Sequence, residues 1–105
     1  MGLIKITNVE KHENYSTFDA FKTEGRSVRV GKVLFGGGAR VPEDGYTAHA
    51  AEEYVCILKG TIAFGTEEEE YNLNVGDFHY MPKGKKHWCQ NIESGDGELL
   101  YIMID

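Results

Sequence analysis

Short apolar runs broken by glycine recur through most of this chain, and that rhythm constrains its fold more than any other feature. Thirteen glycines stand against only two prolines. Glycine adopts positive φ without steric cost, so this density suits short strands joined by tight turns better than a few long helices. Val28-Arg29-Val30-Gly31-Lys32-Val33-Leu34-Phe35 alternates until Gly36-Gly37-Gly38. Thr61-Ile62-Ala63-Phe64 follows Gly60, and Tyr71-Asn72-Leu73-Asn74-Val75 alternates until Gly76. Phe78 to Met81 is apolar and aromatic around His79, and Leu99-Leu100-Tyr101-Ile102-Met103-Ile104 reads as a buried strand after the turn Ser94-Gly95-Asp96-Gly97. Short β-segments with regular turn signals predict an all-β sandwich or barrel.

At 105 residues the chain is one domain. Residues 1–26 read as an irregular N-terminal segment, with a short helical turn over 17–22, that packs on or pairs with a β-unit spanning 27–105. The stretch 47–60 is ambiguous. Thr47, the helix formers after it and the closing Lys59-Gly60 suit a capped helix. The continuous run Val55-Cys56-Ile57-Leu58 suits a buried strand and a tight turn. Glu67-Glu68-Glu69-Glu70 reads as the solvated tip and outer face of a hairpin, because adjacent strand residues point to opposite faces.

A formal net charge of −6 argues against a nucleic-acid or anionic-membrane partner, since both reward clustered Lys and Arg. The basic cluster Lys83, Lys85, Lys86 sits in a Pro-Gly turn and reads as solvated. No apolar run reaches the ~20 residues a membrane span needs, and the N-terminus lacks a signal-peptide core. A cytoplasmic location is the expectation, with Cys56 and Cys89 reduced.

From Gly76 the chain reads GDFHYMPKGKKHWCQN. This matches the second motif of the cupin superfamily, G-x5-P-x-G-x2-H-x3-N, at Gly76, Pro82, Gly84, His87 and Asn91. The first cupin motif, G-x5-H-x-H-x3-4-E-x6-G, is met at His49, Glu53 and Gly60, but Val41 stands at its leading glycine and Thr47 at its first histidine. The turn Pro42-Glu43-Asp44-Gly45 carries a shifted glycine. The chain thus resembles a small single-domain cupin, which implies a double-stranded β-helix, or jelly-roll, barrel. It also implies strands on both sides of residues 50–53, one ending near Ala50 and one starting near Glu53.

The resemblance implies a divalent metal (iron, manganese, nickel or zinc) held by His49, Glu53 and His87, with Thr47 at the vacant fourth place. Two imidazoles and a carboxylate can hold such an ion and leave positions open for substrate. The Thr47 hydroxyl is a poor ligand but can orient a bound water. Strand parity puts Cys89 and Asn91 on the face of His87, and Val55 and Ile57 on that of Glu53. His79 and Tyr80 lie on opposite faces, so one of them enters the cavity. Trp88 faces away from His87. Val, Ile, Phe and Tyr walls make an apolar pocket suited to a small organic ligand. The expected function is a metal-dependent oxygenase, isomerase or lyase on a small molecule. The alternative is a metal-free small-molecule binding or sensing module. A homodimer is also expected, because cupins commonly pair and the C-terminal strand is apolar.

Overall fold

The computed structural model describes residues 8–22 and 28–105. Among the described residues, ten strands make up the regular structure: β1 (Asn8–Lys11), β2 (Tyr15–Lys22), β3 (Val28–Phe35), β4 (Arg40–Val41), β5 (Glu52–Lys59), β6 (Ile62–Gly65), β7 (Glu70–Leu73), β8 (Phe78–Met81), β9 (Trp88–Asn91) and β10 (Gly97–Ile104). They form a six-stranded sheet of order β1-β2-β3-β10-β5-β8 and a four-stranded sheet of order β4-β9-β6-β7. Every pairing is antiparallel.

One hydrophobic core joins the two sheets. Val33, Phe35, Val55, Ile57, Leu99 and Tyr101 of the larger sheet pack with Ile62, Phe64, Leu73 and Cys89 of the smaller. Register shows why these side chains share a face. Leu99 lies opposite both Val33 and Ile57, and Tyr101 opposite Gly31 and Val55. Directly opposed residues in antiparallel strands point the same way, so each row crosses the sheet on one face. Burial alternates accordingly along β3, β5 and β10.

Two expectations need correction. Residues 15–22 form a strand, with no helical turn over 17–22, and residues 8–11 form another. The turn-forming residues Asn14 and Ser16 disguise a hairpin closed by the His12 N–H donating to the Tyr15 carbonyl (2.8 Å). Pairing of β2 along nearly the whole of β3 then overrides the weak local helix preference. The rest of the expected irregular segment, 1–7 and 23–26, lies outside the described residues. The strand expected to end near Ala50 shrinks to a single bridge between Thr47 and His87, while the second begins at Glu52. The acidic run closes the β6–β7 hairpin, where Thr66 Oγ1 accepts the N–H groups of Glu68 and Glu69 and Lys85 pairs with Glu68 at 2.6 Å.

Candidate metal centre and its cavity

The barrel encloses a cavity of about 260 Å³. Val33, Val55, Phe64, Leu99 and Met103 supply apolar wall; Thr17, Arg29, Thr47, His49, Glu53 and His87 supply polar groups. His49, Glu53 and His87 converge, each offering one donor atom within 4.8 Å of the others.

Local structure explains the convergence. The second-motif turn is closed by the Lys85 N–H donating to the Pro82 carbonyl (3.2 Å). Gly84 sits there at φ +79°, where an L side chain is strained. Its N–H donates to the carbonyl of His49 (2.8 Å), so this turn also anchors the arm that carries His49. His87 follows, locked to Thr47 by reciprocal backbone hydrogen bonds of 2.8 and 2.9 Å. Its Nδ1–H donates to the Lys85 carbonyl at 2.8 Å, which leaves the Nε2 lone pair turned inward. Nε2 stands 3.5 Å from Glu53 Oε1. Glu53 is the second residue of β5, opposite Met81 and Met103, and is buried. Glu52 faces the other way and accepts a hydrogen bond from the Tyr80 hydroxyl at 3.0 Å.

The electrostatics divide the two imidazoles. Burial pushes His49 down, reinforced by His87 and Arg29 and opposed by Glu53, so its pKa lies below the ordinary 6.5. Burial acts on His87 too, but the Glu53 hydrogen bond, the Lys85 carbonyl and the Glu53 charge outweigh it and hold its pKa above 6.5. One neutral imidazole, one basic imidazole and one buried carboxylate thus meet at one point. Ligands of a first-row ion at ~2.0–2.2 Å would lie about 3–4 Å from one another; the 3.5 Å between His87 and Glu53 meets this, and all three donors lie within 4.8 Å, a set that small shifts would close on such an ion.

The flanking candidates separate into three groups. Thr47, Val55 and Cys89 line the cavity. Burial pushes the Cys89 thiol far up, with Glu53 adding and Arg40 opposing, so it is an inert wall group. Of the β8 pair, His79 is the buried one, packed on Phe64 at 4.6 Å between ring centroids and hydrogen-bonded to the Tyr71 hydroxyl. It stands behind the cavity wall, and Tyr80 lies on the outer face against Tyr54. Asn91 is fully buried away from the cavity, where Nδ2 donates to the carbonyls of Gly36 (3.0 Å) and Gly95 (2.7 Å) and Oδ1 accepts the Glu93 N–H (3.0 Å). Trp88 faces away from the site, under the guanidinium of Arg40 at 4.9 Å.

Arg29, Glu10, Tyr15 and Thr17 also line the cavity, and the motif-led reading passes them over. Parity from Val33 and Phe35 places Arg29 inward, two steps beyond Gly31, so its signal lies in the alternation of β3. Glu10, Tyr15 and Thr17 become visible only once β1 and β2 are recognised as strands.

An antiparallel jelly-roll barrel with a His–Glu–His cluster inside defines the class of protein. A family model described as "Cupin domain" matches residues 32–103, and the chain belongs to that family. Among solved structures, a predicted oxalate decarboxylase from Thermotoga maritima is similar at 19% identity and a TM-score of 0.81, with 98% of each chain covered. The Cnp3 cupin domain of Schizosaccharomyces pombe is similar at 19% identity and a TM-score of 0.79, covering 93% of this chain and 68% of that one. KdgF from Halomonas sp. is 17% identical with a TM-score of 0.78, covering 93% and 87%. At these identities the likeness concerns the fold. No curated protein sequence matches the chain.

Proposed function

We propose that this cupin holds a divalent transition metal (iron, manganese, nickel or zinc) on His49, Glu53 and His87 and acts on a small organic molecule admitted to the adjoining cavity. The observation that carries the reading is the Nδ1 hydrogen bond of His87 to the Lys85 carbonyl, which aims Nε2 at Glu53 and His49. A protein that uses histidine as a ligand normally fixes the imidazole this way. Once bound, such an ion with open positions would act as a Lewis acid toward a ligand oxygen. The chain's own groups would do the rest. Val33, Val55, Phe64, Leu99 and Met103 exclude water, and the Thr47 hydroxyl orients a polar group at the place a fourth donor would take. Oxygenase, isomerase and lyase chemistry all suit this arrangement. Free Cys56 and Cys89 suit a reducing, cytoplasmic setting.

Thr47 favours a second reading, a metal-free module that binds a small molecule, because one imidazole fewer lowers metal affinity. Elemental analysis of protein purified without chelator separates the two. Stoichiometric metal that His87→Ala abolishes supports the first. Absence of metal after loading, with ligand-induced thermal shifts that ignore chelator, supports the second.

A further inference from the structure

The cavity has a second polar end, across its floor from the donor cluster. Register puts Arg29 of β3 opposite Met103 of β10, and Met103 opposite Glu53 of β5. Directly opposed antiparallel residues point the same way, so all three share the inner face, and all three line the cavity. Two strand spacings separate the Arg29 and Glu53 backbones, about 10 Å. Met103 forms the floor between them, and an unbranched thioether side chain adapts to ligands of different outline. Tyr101 lines the same end. Its hydroxyl lies over Gly31, where an added Cβ would collide with it, and Gly31 is the next inward position along β3 from Arg29. The Arg29 charge is also felt at the donor cluster, where it helps to lower the pKa of His49.

We propose that the small molecule taken into this cavity is a carboxylate, held at one end by Arg29, with its body on the apolar wall and its far end at the donor cluster. This deepens the metal-centre reading and rests on it for the far end of the ligand alone.

Charge is the first argument. The chain as a whole carries −6, yet a divalent ion in the donor cluster would leave the inner cavity two charges positive (two from the ion, one from Arg29, less one from Glu53). Glu10 is exposed at the mouth, 3.9 Å from His12, and offsets only one of these. Val33, Val55, Phe64 and Leu99 make the walls apolar, and charge left uncompensated beside such walls is costly. A neutral ligand leaves the positive charge standing and a cation adds to it, whereas an anion offsets it. Geometry is the second argument. A guanidinium presents its N–H donors as a planar fork that matches a carboxylate, and it can keep a protein partner on one edge while another edge serves a ligand. Among the described residues Arg29 is the sole Lys or Arg lining the cavity, which suits one carboxylate better than a phosphate dianion. Size is the third. Sites for drug-sized ligands run to ~300–1,000 Å³, so a cavity of about 260 Å³ limits the body to a short chain or a single ring.

Calorimetric titration of the zinc-loaded full chain with butanoate and with benzoate, each paired with its neutral amide, tests the proposal. Wild type should bind at least one acid about tenfold or more tighter than its amide. Arg29→Gln should keep stoichiometric zinc and bind the amide unchanged, while the acid weakens about tenfold to a hundredfold, as for loss of a charge-assisted pair. Arg29→Lys should restore only part of that loss. Should Arg29→Gln fail to fold, nitrogen NMR of the Arg29 guanidinium in wild type serves instead, with signals that shift on adding the acid and not on adding its amide. An acid bound equally by wild type and Arg29→Gln overturns the proposal, because the metal alone would then hold it. So do guanidinium signals unmoved by acid, absence of binding by both acids, or Arg29-dependent binding of inorganic phosphate tighter than that of either acid. Zinc content of the same samples reports on the metal centre by itself. An Arg29-dependent preference for acid over amide that survives chelation upholds the proposal even where zinc binding fails, and stoichiometric zinc without that preference removes this inference alone.

Discussion

Metal affinity should depend on pH in two separated steps, because the two imidazoles differ in basicity. An ion can use His87 only through Nε2, since Nδ1 is committed to the Lys85 carbonyl. Below its folded pKa, which stands above 6.5, His87 carries a proton on Nε2 that a metal must displace. Each pH unit below that value costs about 1.36 kcal/mol, a tenfold loss of apparent affinity. His49 has a folded pKa below 6.5 and stays largely neutral down to that point. Descending from alkaline pH, the logarithm of affinity should be flat, then fall with slope one, and reach slope two only below the lower His49 value. Calorimetric titration with Co²⁺ from pH 8 to 5, in buffers of different ionisation enthalpy, counts the protons released. Imidazole nitrogen NMR assigns them and should show Nδ1–H of His87 retained in the loaded protein. Affinity flat from pH 7 to 5 would refute the reasoning, as would slope two arriving in a single step.

Three further outcomes follow from the same geometry. Thr47→His should tighten metal binding in a chelator competition, because residue 47 lies directly opposite His87 on the cavity wall; unchanged affinity would mean that an imidazole there does not reach the donor cluster. Asn91→Ala should cost about 3 kcal/mol in urea denaturation, since it removes three hydrogen bonds, each worth about 1 kcal/mol, made by a fully buried side chain, and a loss below about 1 kcal/mol would contradict the assigned role. His79 has a pKa held below 6.5, by burial first and by His87 second, against Glu53 and Glu69. The unfolded chain therefore binds the extra proton, and stability from this group, full above 6.5, is lost as pH falls toward the lowered folded value. The metal-free wild type should weaken relative to His79→Phe between pH 7.5 and 5, and a difference independent of pH would sink the assignment.

Alternation made β7 legible in the sequence, because it has one wet face and one dry face; in β3 the inward Val33 and Phe35 and the break at Gly36 carried the reading. Alternation fails for Leu99–Ile104 and for Val55–Leu58, where the run is apolar throughout. The register explains the failure: Leu100, Ile102, Cys56 and Leu58 occupy an outer face that is apolar in its own right. A strand apolar on both sides has no period to read, and so 47–60 stays open between helix and strand until the motif spacing is considered. β1 and β2 escape notice for another reason. Glu10, Tyr15 and Thr17 pack as wall of a cavity, and Tyr15-Ser16-Thr17-Phe18 does not alternate between apolar and polar. Parity at short range depends on the strand alone. It puts Glu53, Val55 and Ile57 on one face and His87, Cys89 and Asn91 on another; all six are buried, but of these Ile57 and Asn91 lie outside the cavity lining.

The second motif is intact and the first is broken, and the roles of the residues say what that contrast measures. Gly76 and Gly84 are both held at positive φ, in turns that lead into β8 and toward β9. Asn91 knots the loop after β9 to Gly36 and Gly95 on either side of it. Gly60, which closes the first motif, also sits at positive φ, between β5 and β6. These positions serve the barrel, and a change at any of them costs stability whatever the chain binds. Of the matched motif residues, only His49, Glu53 and His87 offer metal-donor atoms to the cavity. Thr47 belongs to the same set by position, yet its contribution to the barrel is a pair of backbone hydrogen bonds that any residue except proline can make. Its side chain is therefore free to vary without cost to the fold. The substitution at residue 47 reports on the chemistry of the site alone, and a donor set of three with one small hydroxyl beside it leaves more room for a ligand than a set of four.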